Sequence, residues 1–156
     1  MTAPATLDRA GIAARIPHSG AMCLLDGLLA WDADHIHCRA SSHADPDHPL
    51  RLPALGLPAP CAIEYAAQAM ALHGGLRAAP GEPPRPGFLA SARQVVLHVA
   101  RLDDRPGPLA VRCQRLLGDE RQAQYQFSLH DASGALLVEG RATVVLNTPL
   151  VALPAS

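Results

Sequence analysis

The twelve residues Cys61-Ala62-Ile63-Glu64-Tyr65-Ala66-Ala67-Gln68-Ala69-Met70-Ala71-Leu72 decide how the rest of the chain is read. Their apolar side chains fall on nearly every face of a 3.6-residue helix, so this helix is expected to be buried all round. Pro58 or Pro60 suits its first turn and Gly74-Gly75 its end, which predicts a helix over residues 59–76. Its alanines would let a sheet wrap it closely. Glu64 breaks the pattern, with Gln68 one turn later on the same face. A carboxyl on a helix without a solvent side is costly unless it is paired or neutral. Glu64 therefore either caps the helix or pairs with an arginine, or it serves as a general acid or base.

Working outward, 7–14 reads as a short helix started by Thr6 or Asp8. The near-continuous apolar run 21–30 reads as a buried strand. A turn at 32–34 joins it to the alternating His35-Ile36-His37-Cys38-Arg39-Ala40. Beyond the helix, 78–87 is a Pro/Gly linker, and strands are expected over 88–100, 109–117, 123–130 and 135–146. Turns at 103–108, 118–121 and 131–134 separate them. Two strands, a buried helix and four strands imply an α+β domain, one antiparallel sheet curled around a central helix. The 156 residues form a single domain with its core at about 15–146.

A histidine is the natural partner for Glu64. Of eight, His35 and His37 share one strand face and read as solvated, His98 and His130 read as structural, and His73 lies near the helix end. Three sit where loops meet the helix start: His18, His43 and His48. The last two belong to 41–60, which carries Pro46, Pro49, Pro53, Pro58 and Pro60, and a long ordered loop of this kind is often functional.

Composition narrows the function. Thirteen arginines with no lysine against fourteen acids give a net charge of −1, which argues against nucleic acid as a partner. No apolar stretch approaches membrane-spanning length, and the N-terminus lacks a basic start followed by an apolar run. Cys23, Cys38, Cys61 and Cys113 have neither zinc nor redox-pair spacing and read as reduced core thiols of a cytoplasmic protein. No metal and no cofactor is expected. Phosphate-binding loops and a nucleophile elbow are absent.

The motifs together resemble the hot-dog-fold 3-hydroxyacyl-carrier-protein dehydratases, over roughly residues 15–146. Ile16-Pro17-His18 followed by Met22-Cys23-Leu24-Leu25-Asp26 is similar to that family's opening motif. Leu57-Pro58, Ile63-Glu64 and Ala67-Gln68-Ala69 are similar to its helix motif, with Pro six residues before Glu and Gln four after. Phe88-Leu89-Ala90-Ser91 and the Pro106-Gly107 turn also fit. The family's catalytic His lies in an H-F-P-G motif fourteen residues before the Glu, where this chain has Leu50, with His48-Pro49 close by. A divergent branch associated with aryl-polyene biosynthesis lacks H-F-P-G. It resembles this chain in its P-H-x-x-x-M start and I-E-x-x-A-Q helix, which makes His18 the partner of Glu64 and His48 the fallback.

The resemblance implies dehydration of a 3-hydroxyacyl thioester on an acyl carrier protein to the trans-2-enoyl form. A His would take the C2 proton while Glu64, neutral, protonates the departing C3 hydroxyl. Gln68 would orient that Glu or the water. Amides at the helix start, around Ala59 and Cys61, would polarise the thioester carbonyl, although Pro60 removes one of them. The small Ala face of the helix would line an acyl tunnel. The resemblance also implies a homodimer, or a heteromer with a homologous dehydratase, with Arg51, Arg77 and Arg85 as candidate carrier-protein contacts. Two alternatives remain: a catalytically degenerate subunit that pairs with an active dehydratase, and an acyl thioesterase.

Overall fold

The computed structural model describes residues 3–18, 20–78 and 87–146. Its strands are β1 (Leu7–Asp8), β2 (Gly27–Trp31), β3 (His35–Ala40), β4 (Gly87–Leu97), β5 (Leu109–Gly118), β6 (Gln122–His130) and β7 (Leu136–Leu146). The helices are α1 (Arg9–Ala13) and α2 (Ala62–Arg77), the latter entered through a 3₁₀ turn at Ala59–Cys61. All strand pairs are antiparallel, in the order β1-β2-β3-β5-β6-β7-β4. The chain leaves β3, crosses through α2 to β4 at the far edge, and returns to pair β5 with β3. That crossover lays α2 across one face of the sheet, against β3, β4, β5 and β6.

Alternation decides which strand residues meet the helix. Leu109, Val111 and Cys113 of β5 are buried, as are Ala123, Tyr125, Phe127 and Leu129 of β6, while the residues between them point away. Ala62, Ala66 and Ala69 of α2 have no exposed surface. At this alanine face the Cys113 thiol reaches the Ala66 carbonyl at 3.7 Å. Burial pushes the Cys38 thiol up to about 12 and Cys113 well above its ordinary value, so both are inert packing groups. Gly140 of β7 makes room for its cross-strand partner: a Cβ there would lie 2.9 Å from Phe127 Cζ of β6.

Three readings of the sequence need correction. The apolar run 21–30 is only partly strand. Gly20–Met22 forms a 3₁₀ turn and β2 begins at Gly27, although Cys23, Leu24 and Leu25 are buried. An unbroken apolar run reports burial, and it does not distinguish a strand from a packed loop. The expected helix at 7–14 is a two-residue strand followed by a five-residue helix, which Asp8 caps by accepting from the Gly11 amide at 2.9 Å. The long helix is not buried all round, because Ile63, Glu64, Ala67, Ala71 and Gly74 form a half-exposed stripe at helical spacing. β4 is likewise exposed along nearly its whole length, with Phe88, Leu89, Val96 and Leu97 each about 40% exposed or more. The expected linker at 78–87 lies almost wholly outside the described residues.

Packing around the helix sets the stability. Leu72→Ala, at a site with no exposed surface, should lower unfolding free energy by about 2–5 kcal/mol. Leu117→Ala, where the side chain is largely exposed, should change it by no more than about 0.5 kcal/mol. Urea unfolding followed by circular dichroism measures both, and equal losses would contradict this placement of the core.

Candidate active site

His18 lies in the turn before β2 and Glu64 in the first turn of α2, and the chain brings them together. His18 Nε2 is 3.0 Å from Glu64 Oε1, with side chains 28% and 34% exposed. The other ring nitrogen, Nδ1, is enclosed by protein and has no partner among the described residues. Nε2 is therefore the ring nitrogen that faces the carboxyl. Among the described residues Glu64 neither caps the helix nor pairs with an arginine, and its partial exposure removes much of the burial cost foreseen from the sequence.

Gln68, one turn beyond Glu64, has no exposed surface. Its amide nitrogen donates to the Met22 carbonyl at 2.6 Å and its oxygen accepts from the Leu24 amide at 2.9 Å. Both ends of the side chain are thus committed to the strand-like stretch that follows His18. From the opposite side, one guanidinium nitrogen of Arg9 donates to the carbonyls of Gly20 at 2.7 Å and Cys23 at 3.0 Å.

Tyr65 faces the other way and begins a directed chain of hydrogen bonds. Ser42 Oγ donates to the Leu24 carbonyl at 2.9 Å, so it accepts from the Tyr65 hydroxyl at 2.7 Å. His48 Nδ1 accepts from the Leu50 amide at 3.0 Å, so its Nε2–H donates to Tyr65 at 3.0 Å. Both nitrogens of the fallback histidine are committed in this way, and a proton added at Nδ1 would face an N–H. His43, the third candidate, is buried with Nε2 on the Arg105 carbonyl at 3.0 Å. Asp103 fixes the exit of the proline loop by accepting from the Leu57 amide at 2.8 Å, and it pairs with Arg51 at 3.3 Å and with the Arg101 guanidinium. The hydrogen bond from Arg101 is the main reason its carboxyl lies well below the usual range.

The helix start offers fewer donors than the sequence reading expects. The Ala59 amide donates to Ala100 O at 3.0 Å, Cys61 to Pro58 O at 3.0 Å, and Ala62 to the carbonyls of Ala59 and Pro60. Pro58 and Pro60 have no amide hydrogen to give. Ala59 is also fully buried, whereas Cys61 is half-buried one turn before Glu64, with its thiol pushed up by burial. The entry turn therefore leaves no free amide between 58 and 62 to meet a carbonyl oxygen.

His73 does not bind carbonyls at its own helix end. Its Nε2–H donates to the Asp32 carbonyl at 2.8 Å, and Nδ1 accepts from the Tyr125 hydroxyl at 2.8 Å, which ties α2 to the β2–β3 turn and to β6. His35 and His98 form exposed pairs with Asp32 at 3.1 Å and Glu139 at 3.2 Å. Of the candidate carrier contacts, Arg51 is engaged by Asp103, Arg77 is exposed at the end of α2, and Arg85 lies outside the described residues. Among the described residues no group of three His, Cys, Asp or Glu could hold a metal, and no helix is long and apolar enough to cross a membrane.

Sequence reasoning missed Arg9, Ser42 and Tyr65. Tyr65 left a signal: a tyrosine inside an alanine helix is buried, and a buried hydroxyl needs a partner. Arg9 and Ser42 left none, because they act on backbone atoms that no motif marks.

The neutral histidines set a pH dependence. Burial, the leading cause, holds both His48 and His73 below the ordinary value of 6.5. The unfolded chain therefore binds protons that the folded chain refuses. The stability they contribute is complete above 6.5 and is lost as pH falls through their folded-state values. Melting temperature should thus fall as buffers are taken from neutral to mildly acidic, and a flat profile would contradict the neutral tautomers.

Comparison with known proteins places this geometry. Residues 10–152 match the ApeP-like family, described as ApeP dehydratase. Among solved structures, the dehydratase heterocomplex ApeI:P from Xenorhabdus doucetiae contains a chain 26% identical to this one. The match covers 88% of this chain and 91% of that one, with a TM-score of 0.77. A Haemophilus influenzae thioesterase is 15% identical with a TM-score of 0.65, covering 94% of both chains. A Pseudomonas aeruginosa thioesterase variant is 12% identical with a TM-score of 0.65, covering 90% of this chain and 94% of its own. At those identities the two thioesterases carry the hot-dog fold alone. A comparison with the curated proteins gave no match. With a His–Glu pair on a hot-dog frame and a family match over nearly its whole length, the chain belongs to the ApeP-like dehydratase family.

Proposed function

We propose that this dehydratase acts on a 3-hydroxyacyl thioester held on an acyl carrier protein, giving the trans-2-enoyl thioester during aryl-polyene or fatty-acid-like chain assembly. The 3.0 Å contact between His18 Nε2 and Glu64 Oε1 carries this reading. Elimination of water breaks a C2–H and a C3–O bond, so it needs a base and an acid that differ by one proton. A neutral imidazole beside a neutral carboxylic acid is such a pair. Nε2 takes the C2 proton with its lone pair, the electrons of the broken C2–H bond become the C2=C3 bond, and the C3 hydroxyl leaves as water with the proton from Glu64. Imidazolium and carboxylate remain. One proton passing from Nε2 to the carboxylate across the same contact restores the starting state.

Cys61, half-buried one turn before Glu64, is the side chain of the helix start that meets the acyl group on this reading. The exposed edge of β4 and the half-exposed stripe of α2 support assembly with a second chain. That chain is a second copy or a homologous dehydratase, as in the ApeI:P heterocomplex. The committed amides of the helix start favour one variant of the proposal, in which turnover needs the partner.

Glu64→Gln and His18→Ala should each lower the dehydration rate on a 3-hydroxyacyl carrier protein by about 10²-fold or more. Their circular dichroism should be unchanged. Full activity in either variant sinks the acid/base assignment. Assaying the chain alone and then with a homologous dehydratase separates the two variants, since turnover by the isolated chain removes the need for a partner.

A further inference from the structure

We propose that Arg9 and Gln68 are positioning residues that set the His18–Glu64 distance by strapping the 20–24 segment from both sides, a role that rests on the acid/base reading of that pair. The segment belongs to neither the sheet nor a long helix, so few of its polar backbone groups have partners in regular structure. Side chains supply them instead. Arg9 holds the carbonyls of Gly20 and Cys23, Gln68 holds the Met22 carbonyl and the Leu24 amide, and Ser42 holds the Leu24 carbonyl.

Core packing fixes Cys23 and Leu24 but leaves Gly20 and Ala21 exposed. A cavity of about 670 Å³ runs between α1, the segment and the proline loop, with Arg9, Ala13, Gly20, Ala21 and Cys23 in its wall. The Gly20–Met22 turn is therefore unsupported on one side, and the side-chain straps hold it together with the bond from the Cys23 amide to the Gly20 carbonyl at 3.1 Å. Gln68 stands one turn from Glu64 on the same rigid helix, and Met22 lies four residues from His18. From the carboxyl the path thus runs through one helical turn and one side-chain amide to Met22, four residues along the sequence from His18. Loss of either strap lets the imidazole drift relative to the carboxyl, and a misplacement on the order of 1 Å costs a catalytic pair up to about 100-fold.

The test is the ¹⁵N resonance of His18 Nε2 at fixed pH, which reports the hydrogen bond to Glu64 without any need for activity. Glu64→Ala supplies the value for the broken pair, since Gln could still hydrogen-bond to the ring. Arg9→Met and Gln68→Met should each move the resonance toward that value. Arg9→Lys should hold it near the original, because the two carbonyls share one nitrogen of Arg9 and an ammonium can bridge them equally. In the dehydration assay, kcat should fall about 10- to 100-fold in the two Met variants, with KM changed by less than about threefold. A folded Arg9→Met protein whose Nε2 resonance stays in place overturns the proposal. Should Gln68→Met fail to fold, Arg9→Met decides the matter, since its side chain lies largely at the surface. A parent protein that is inactive both alone and with a homologous dehydratase, and whose resonance still moves in the variants, would refute the acid/base reading and leave the straps standing.

Discussion

Alanine brings the central helix so close to the sheet that its few polar side chains have nowhere to go except sideways, into the connecting loops. Ala62, Ala66 and Ala69 permit the approach, and the thiol of Cys113 touching the Ala66 carbonyl measures it. Four polar residues of α2 then each take a different partner. Glu64 meets His18, Tyr65 meets Ser42 and His48, Gln68 meets Met22 and Leu24, and His73 meets Asp32 and Tyr125. A buried polar group left alone is expensive, so the ties of Tyr65, Gln68 and His73 are obligatory once the helix is seated, whereas the partly exposed Glu64 meets His18 without that compulsion. The helix therefore organises the loops as well as the core.

Much of this was legible in the sequence because it follows from period and composition. Alternation located β5, β6 and β7 within a residue or two, and the alanine run located the helix and its closeness to the sheet. Glu64 stood out as a carboxyl in apolar surroundings. The reading overshot where one signal has two causes: the run 21–30 is apolar because Cys23, Leu24 and Leu25 are buried, yet their backbone is held by side chains. It fell short where the partner of a side chain is a backbone atom. Gln68 looked like a group for substrate or water, and only coordinates show its amide spent on Met22 and Leu24. His48 looked available in its proline loop, but the Leu50 amide and the Tyr65 hydroxyl occupy both nitrogens.

The proline-bearing entry to α2 has a consequence for catalysis. A helix N-terminus ordinarily presents unpaired amides to a developing oxyanion, and removing one such donor from an acyl-transfer enzyme costs roughly 10²- to 10³-fold in rate. Here Pro58 and Pro60 lack the hydrogen, and Ala59, Cys61 and Ala62 spend theirs on Ala100, Pro58, Ala59 and Pro60. On the proposed reaction the acid/base pair then has to carry more of the barrier, or a second chain has to supply the missing donor. The second course agrees with where the surface is left open, since the stripe Ile63, Ala67, Ala71 and Gly74 begins beside Glu64 and β4 lies uncovered at the sheet edge. A chain seated there would meet the helix on the face that carries the carboxyl. The half-exposure of Glu64 would end on assembly, drying the His18–Glu64 contact and strengthening it, because charge interactions grow as water is excluded. On the proposed reaction, assembly and proton transfer would in this way be linked through one helix face.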